Sequence, residues 1–226
     1  STTVDITDYK ESDSLNLAFL ANPINKTRIN DLLNEFINPY ENWIKNTSKE
    51  LDNLKKNKVF KKADKVIENM KYKLEQNLSR IKDGIEFLKD NEKALDAFQF
   101  ANLAMLMQMA HQKKYDFIKE TAGFGPEYFE KDFEQVDEFN KINYFKLNDE
   151  FKYDTEFKGF KWRPFQLAFL LLSIRSSLEE NNEYRETVDL IWFATGGGKT
   201  EAYLFLSAAL IFYKKLLNPE HSGTDI

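Results

Sequence analysis

Apolar residues return every third or fourth position along three long stretches of the chain. Ile29, Leu33, Phe36, Tyr40, Trp43, Leu51 and Leu54 keep the spacing of one face of an amphipathic helix. Pro39 interrupts that stretch and predicts a kink or a division into two helices. Ile67, Met70, Leu74, Leu78, Ile81, Ile85 and Leu88 mark a second helix, with positions 67, 74, 81 and 88 at heptad spacing. A third runs from about Glu92 to Glu120, with Phe98, Ala101, Met105 and Met109 along one side. Long helices joined by short connections pack back to back, so residues 23–122 are expected to form an antiparallel helical bundle. Residues 1–22 are polar, carry no period and are expected to be irregular.

Residues 123–160 break the pattern. Eleven aromatic residues and ten acids fall between positions 124 and 160 with no sustained period. Two readings stand for this connector. Its rings pin an irregular segment to its neighbours, or its acids imitate nucleic-acid charge and cover a basic groove.

Order returns at Trp162. The run WRPFQLAFLLLSIRSSL places Pro164 in the first turn of a helix that continues to Leu178. The polar stretch EENNEYRE reads as a loop. VDLIWFA, Val188 to Ala194, is short, apolar and β-rich, as buried parallel strands are. A glycine-rich turn follows, and then a helix from Lys199, whose apolar face of Ala202, Phe205, Leu206, Ala209, Leu210 and Tyr213 is expected to pack on a sheet.

The turn between that strand and that helix carries the chemistry. Thr195, Gly196, Gly197, Gly198, Lys199 and Thr200 form the phosphate-binding loop of an ATP-binding protein. A backbone that wraps a triphosphate must turn successive N–H groups inward, through dihedrals that side chains forbid. Lys199 then reaches the β- and γ-phosphates, and the Thr200 hydroxyl completes the shell of Mg2+. The following helix presents its positive end to the anion. The general pattern asks for glycine at position 193, and Phe193 stands there. Upstream, Arg163-Pro164-Phe165-Gln166 supplies a glutamine whose amide can pair with both N6 and N7 of adenine. Arg163 would orient that glutamine or meet a phosphate, and Trp162 or Phe160 would stack on the base.

Composition and charge narrow the setting. The 226 residues are 42% hydrophobic and 31% charged, ordinary values for a globular protein. A net charge of −5 gives the whole chain no attraction to DNA, so any DNA contact needs a local basic face. Lys45 to Lys73 holds ten lysines against four acids, which reads as a solvated helix face or as a phosphate-contacting one. No cysteine is present, and His111 and His221 lie far apart, so zinc has little to bind. The longest apolar run, Leu167 to Ile174, is too short to cross a bilayer, and the first residues lack a signal-peptide pattern. No membrane partner is expected, and the expected compartment is the cytoplasm.

The bulky residue followed by A-T-G-x-G-K-T, with R-P-F-Q upstream, resembles the motors of superfamily 2 helicases and restriction enzymes. WRPFQLAFLLLSIR, VDLIWFATGGGKTEAYLFLSAA and the upstream ALDAFQFANLAMLMQ together resemble the helicase subunit of the DISARM bacterial anti-phage defence system. Members of that group typically carry proline where Ala194 stands. The resemblance covers roughly residues 80–226. It implies a mainly α fold: a helical bundle followed by the start of a P-loop, RecA-like α/β motor domain over residues 161–226. It also implies an ATP- and Mg2+-dependent DNA helicase or translocase acting with other subunits of a defence complex. Gln166, Gly196, Gly198, Lys199 and Thr200 are the residues it carries over.

The acidic pair that such a motor needs to hold magnesium and position water has no counterpart after the loop. Asp137-Glu138 and Asp149-Glu150 precede it, in the irregular connector. The expectation is therefore an N-terminal part of a longer protein, holding the adenine and phosphate elements and no catalytic residue of its own. Two other readings remain. One is a helical protein-interaction or regulatory module whose loop does not work alone. The other is a P-loop enzyme that does not translocate, against which R-P-F-Q and the A-T-G-x-G-K-T form both speak.

Overall fold

The computed structural model describes residues 13–56, 63–122, 159–189 and 198–220, with side chains near the end of the third long helix described at 109 and 112 but not at 110, 111 or 113–122. The chain is mainly α. Its helices are α1 (Leu17–Ala21), α2 (Lys26–Lys55), α3 (Asp64–Asp90), α4 (Glu92–Ala122), α5 (Pro164–Leu178) and α6 (Lys199–Leu217). The only β-type pairing among the described residues is an isolated antiparallel bridge between Asn16 and Lys161.

The three long helices lie where apolar spacing predicts them. α2 runs unbroken across Pro39, so the proline does not divide it. Ile29, Leu33, Phe36, Ile37, Ile44 and Leu51 face inward along its length. In α3 the stripe is buried at Ile67 and from Ile81 to Leu88, whereas Met70 is exposed. Asn91 makes the sharp junction between α3 and α4. Its own N–H closes α3 on the Phe87 carbonyl at 3.0 Å, and its Oδ1 accepts from Ala94 N at 3.0 Å to cap α4.

Residues 13–22 are not irregular, as their polarity suggested. They hold a 3-10 turn, Asp13–Leu15, and then α1, all five residues of which are buried. A helix of one turn shows no period. It forms here because Asn16 caps it, with Oδ1 accepting from Ala18 N at 3.0 Å and Phe19 N at 3.2 Å. Tertiary contact does the rest: α1 packs on α4, and Leu17 N donates to the Phe160 carbonyl while Trp162 N donates to that of Leu15. The approach to α5 is thereby stitched to the N-terminal segment.

One apolar core takes residues from all six helices. α6 lies along α4 and α5 along α3, and both pairings are more extensive than that between α3 and α4. Phe205 sits at the centre, edge-on to Phe98 at 5.4 Å and to Trp162 at 5.6 Å. Truncation of so buried a ring to alanine costs about 3–5 kcal/mol. The inward face of α6, Ala202, Phe205, Ala209 and Tyr213, rests on α4 and α5 among the described residues. Most of the apolar run expected as a strand, 190–194, lies outside the described residues. Its first residue, Val188, is 93% exposed, unlike a buried strand residue.

Candidate nucleotide-binding site

The start of α5 and the start of α6 come together at one end of the core. Arg163 is the N-cap residue of α5 and Pro164 occupies its first turn, as proline's fixed φ favours. Gln166 follows at the third helical position. Its Oε1 accepts from Arg163 N at 2.8 Å, and its Nε2 donates to the Gly198 carbonyl at 2.6 Å. The side chain is 4% exposed. R-P-F-Q and the glycine loop, 32 positions apart, are thus in direct contact.

Gly198 is the N-cap of α6 and has φ of 82°, a left-handed conformation that favours glycine. A Cβ there would also stand 2.5 Å from Gln166 Nε2 and 3.3 Å from Glu201 Oε2. The dihedral thus strains any side chain there, and one would also have to displace the Gln166 amide that holds the Gly198 carbonyl. The close approach of Glu201 places its carboxylate back over the helix start and not simply in solvent. Lys199 opens α6 half-buried, and Thr200 is exposed, so its hydroxyl is accessible to a cation. The 19-residue α6 directs its positive end at this point. Gly198, Lys199 and Thr200 fit a bound triphosphate and its magnesium ion. Thr195, Gly196 and Gly197 lie outside the described residues.

Trp162 is not placed to stack on a base. It is 1% exposed, donates from Nε1 to Asn102 Oδ1 at 2.8 Å, and packs edge-on against Phe205. Its aromatic bulk is used in the core. Phe160 is half-buried, with its carbonyl tied to Leu17.

Sequence reasoning missed the polar residues that brace this end of the molecule. Arg80 of α3 forms a forked pair with Asp189, Nη1 to Oδ1 and Nη2 to Oδ2 both at 2.7 Å. The guanidinium also lies 4.7 Å over the Tyr184 ring. Arg175 of α5 pairs with Asp83 of α3 and with Glu179, the latter at 2.7 Å. Its pKa is raised, first by the Glu179 hydrogen bond, with Asp83 adding to it against the effect of burial. The one available signal was Gly84. A glycine inside a strong helical pattern is unfavourable by about 1 kcal/mol against alanine and points to a packing need.

Three of the seven described lysines in the lysine-rich stretch are paired with acids of α2 and α3. Lys45 meets Glu41 at 2.9 Å, Lys71 meets Asp52 at 2.8 Å, and Lys55 pairs with Glu68. Lys58, Lys61 and Lys62 lie outside the described residues. Among those described there is no cluster of His, Cys, Asp or Glu that would hold a metal ion, and no helix long and apolar enough to cross a membrane.

No protein-family model matches the chain. A curated relative does: the DISARM protein DrmA of Bacillus paralicheniformis is 34% identical over 199 residues. The match takes in 86% of this chain and 14% of the relative, so the chain spans about a seventh of the length of the protein it matches. Over most of its own length, this chain is similar to a segment of a DISARM protein.

Proposed function

We propose that the chain is the nucleotide-binding entrance of an ATP-dependent superfamily 2 DNA helicase or translocase that works in DISARM anti-phage defence. ATP lies on Gly196 to Thr200, with Lys199 on its β- and γ-phosphates and Thr200 on the magnesium ion. Gln166 stands on the adenine side, and Arg163 beside it. The amide has a second hydrogen on Nε2 and a second lone pair on Oε1, so it can serve the base while holding Gly198. Hydrolysis needs an acidic pair and a second lobe, which other parts of a longer protein would supply. DNA and the other subunits of a defence complex are the partners this reading implies.

The observation that carries the proposal is the 2.6 Å bond from Gln166 to Gly198. It joins two motifs that are separately weak or common and jointly specific. Similarity to DrmA supports the defence setting. The test is ATP binding by this chain, and turnover by a protein that carries this segment together with the acidic pair and second lobe, each compared with its Lys199→Ala variant. Loss of both in the variant is expected, and unchanged turnover overturns the assignment. A chain in which neither form binds ATP would instead act as a helical interaction module.

A further inference from the structure

One turn of α3 holds both sides of the nucleotide end. Arg80, Asp83 and Gly84 lie at i, i+3 and i+4, on one face of the helix. Gly84 lets the backbone of α3 meet that of α5, because a Cβ there would fall 1.9 Å from the Leu171 carbonyl oxygen. Asp83 pairs with Arg175, also on α5. α5 in turn carries Gln166 and, through it, the carbonyl of Gly198. Arg80 reaches the other way, to Asp189, at the base of the apolar run that leads into the glycine loop.

We propose that Arg80 is a positioning residue for the nucleotide site, setting through its forked pair with Asp189 the approach of the chain to the phosphate loop. The proposal rests on the reading of that loop as an ATP site. Geometry argues for placement over mere stability. Arg80 is 6% exposed, and its buried Nε meets no acceptor. Asp189 keeps 28% of its side chain exposed, so the cost of burial falls on the guanidinium. A pair with so costly a member recovers little net stability, and apolar residues of similar volume commonly serve as well. What a forked guanidinium–carboxylate pair supplies and an apolar pair does not is a fixed orientation. Tyr184 beneath the guanidinium fixes its plane further.

The test uses the full-length chain, a fluorescent ATP analogue and thermal melting. Arg80→Met with Asp189→Leu replaces the pair by apolar volume. The melting temperature is expected to hold while affinity for the analogue falls about fivefold or more. Unchanged affinity in that folded double variant overturns the proposal. Should the double variant fail to fold, Arg80→Lys gives the same readout, since it keeps the charge and loses the fork. Affinity equal to that of the unmutated chain then overturns it. Lys199→Ala separates the two levels. If the unmutated chain and Lys199→Ala bind the analogue equally, the loop reading fails; if only the unmutated chain binds, the Arg80 result stands on its own.

Discussion

The Nε2 of Gln166 lies 2.6 Å from the carbonyl oxygen of Gly198, and that bond ties the first turn of α5 to the first turn of α6. Any ligand of the glycine loop therefore meets a backbone already oriented by a side chain from another helix. Preorganisation of this kind lowers the ordering cost of binding.

For Gln166→Ala, two consequences are expected. Gly198 loses a buried donor, which should weaken every nucleotide, and loss of the proposed adenine contact should weaken ATP beyond GTP. Discrimination between the two should fall by roughly tenfold. Competition binding with ATP and GTP measures it. Equal losses would leave Gln166 as a strut for Gly198 alone.

Gly84→Ala should destabilise the fold, against the usual preference of helices for alanine. The added Cβ would stand 1.9 Å from a backbone oxygen of α5 and 3.2 Å from Ile174 Cγ2. Backbone cannot rotate away as a side chain tip can, so α3 and α5 must separate. Overpacking of this kind costs about 1–3 kcal/mol, more than the helix propensity gained. A urea melt gives the sign directly. A more stable variant would mean that the two helices yield easily.

The helices were legible in the sequence because each long one repeats its apolar positions many times over. α5 was legible to the residue, since Pro164 fixes its start. α1 was not, because its five residues are too few for a period and owe their helix to the Asn16 cap and to α4. Periodicity also marks a stripe without saying what it meets. The face of α6 was visible, but that it rests on α4, with Phe205 against Phe98, was not. Arg80 and Asp189 stand 109 positions apart, and nothing in either sequence neighbourhood names the other as its partner. Gly198 shows the reverse case. Its place in the loop motif already required a backbone that only glycine adopts easily, and its φ of 82° agrees.

Trp162→Phe should cost about 1–3 kcal/mol, although the ring stays apolar and buried. Phenylalanine lacks the indole N–H, so Asn102 Oδ1 would be left buried without its donor at 2.8 Å. Asn102→Leu removes the orphaned acceptor together with its amide, which donates to the Phe98 carbonyl at 2.9 Å. In a double-mutant cycle the pair should therefore be far less destabilised than the two single variants summed. Additive losses would indicate that Trp162 contributes packing only.

Glu41 gives a pH signature with a definite sign. It accepts from Lys82 at 2.7 Å and from Lys45 at 2.9 Å, and its carboxyl is 23% exposed. The Lys82 hydrogen bond, then that of Lys45, holds its pKa below the ordinary 4.5 against the opposing effect of burial. A carboxylate with a lowered folded pKa binds its proton less readily folded than unfolded. Its contribution is therefore whole above about pH 4.5 and fades as pH falls through the lower folded value. Glu41→Gln removes that dependence and little else, about 0.5 kcal/mol for so accessible a pair. Urea midpoints at about pH 6 and about pH 3 should differ less in the variant than in the unmutated chain. An identical difference in both would show that Glu41 is equally easy to protonate in the folded and unfolded chain.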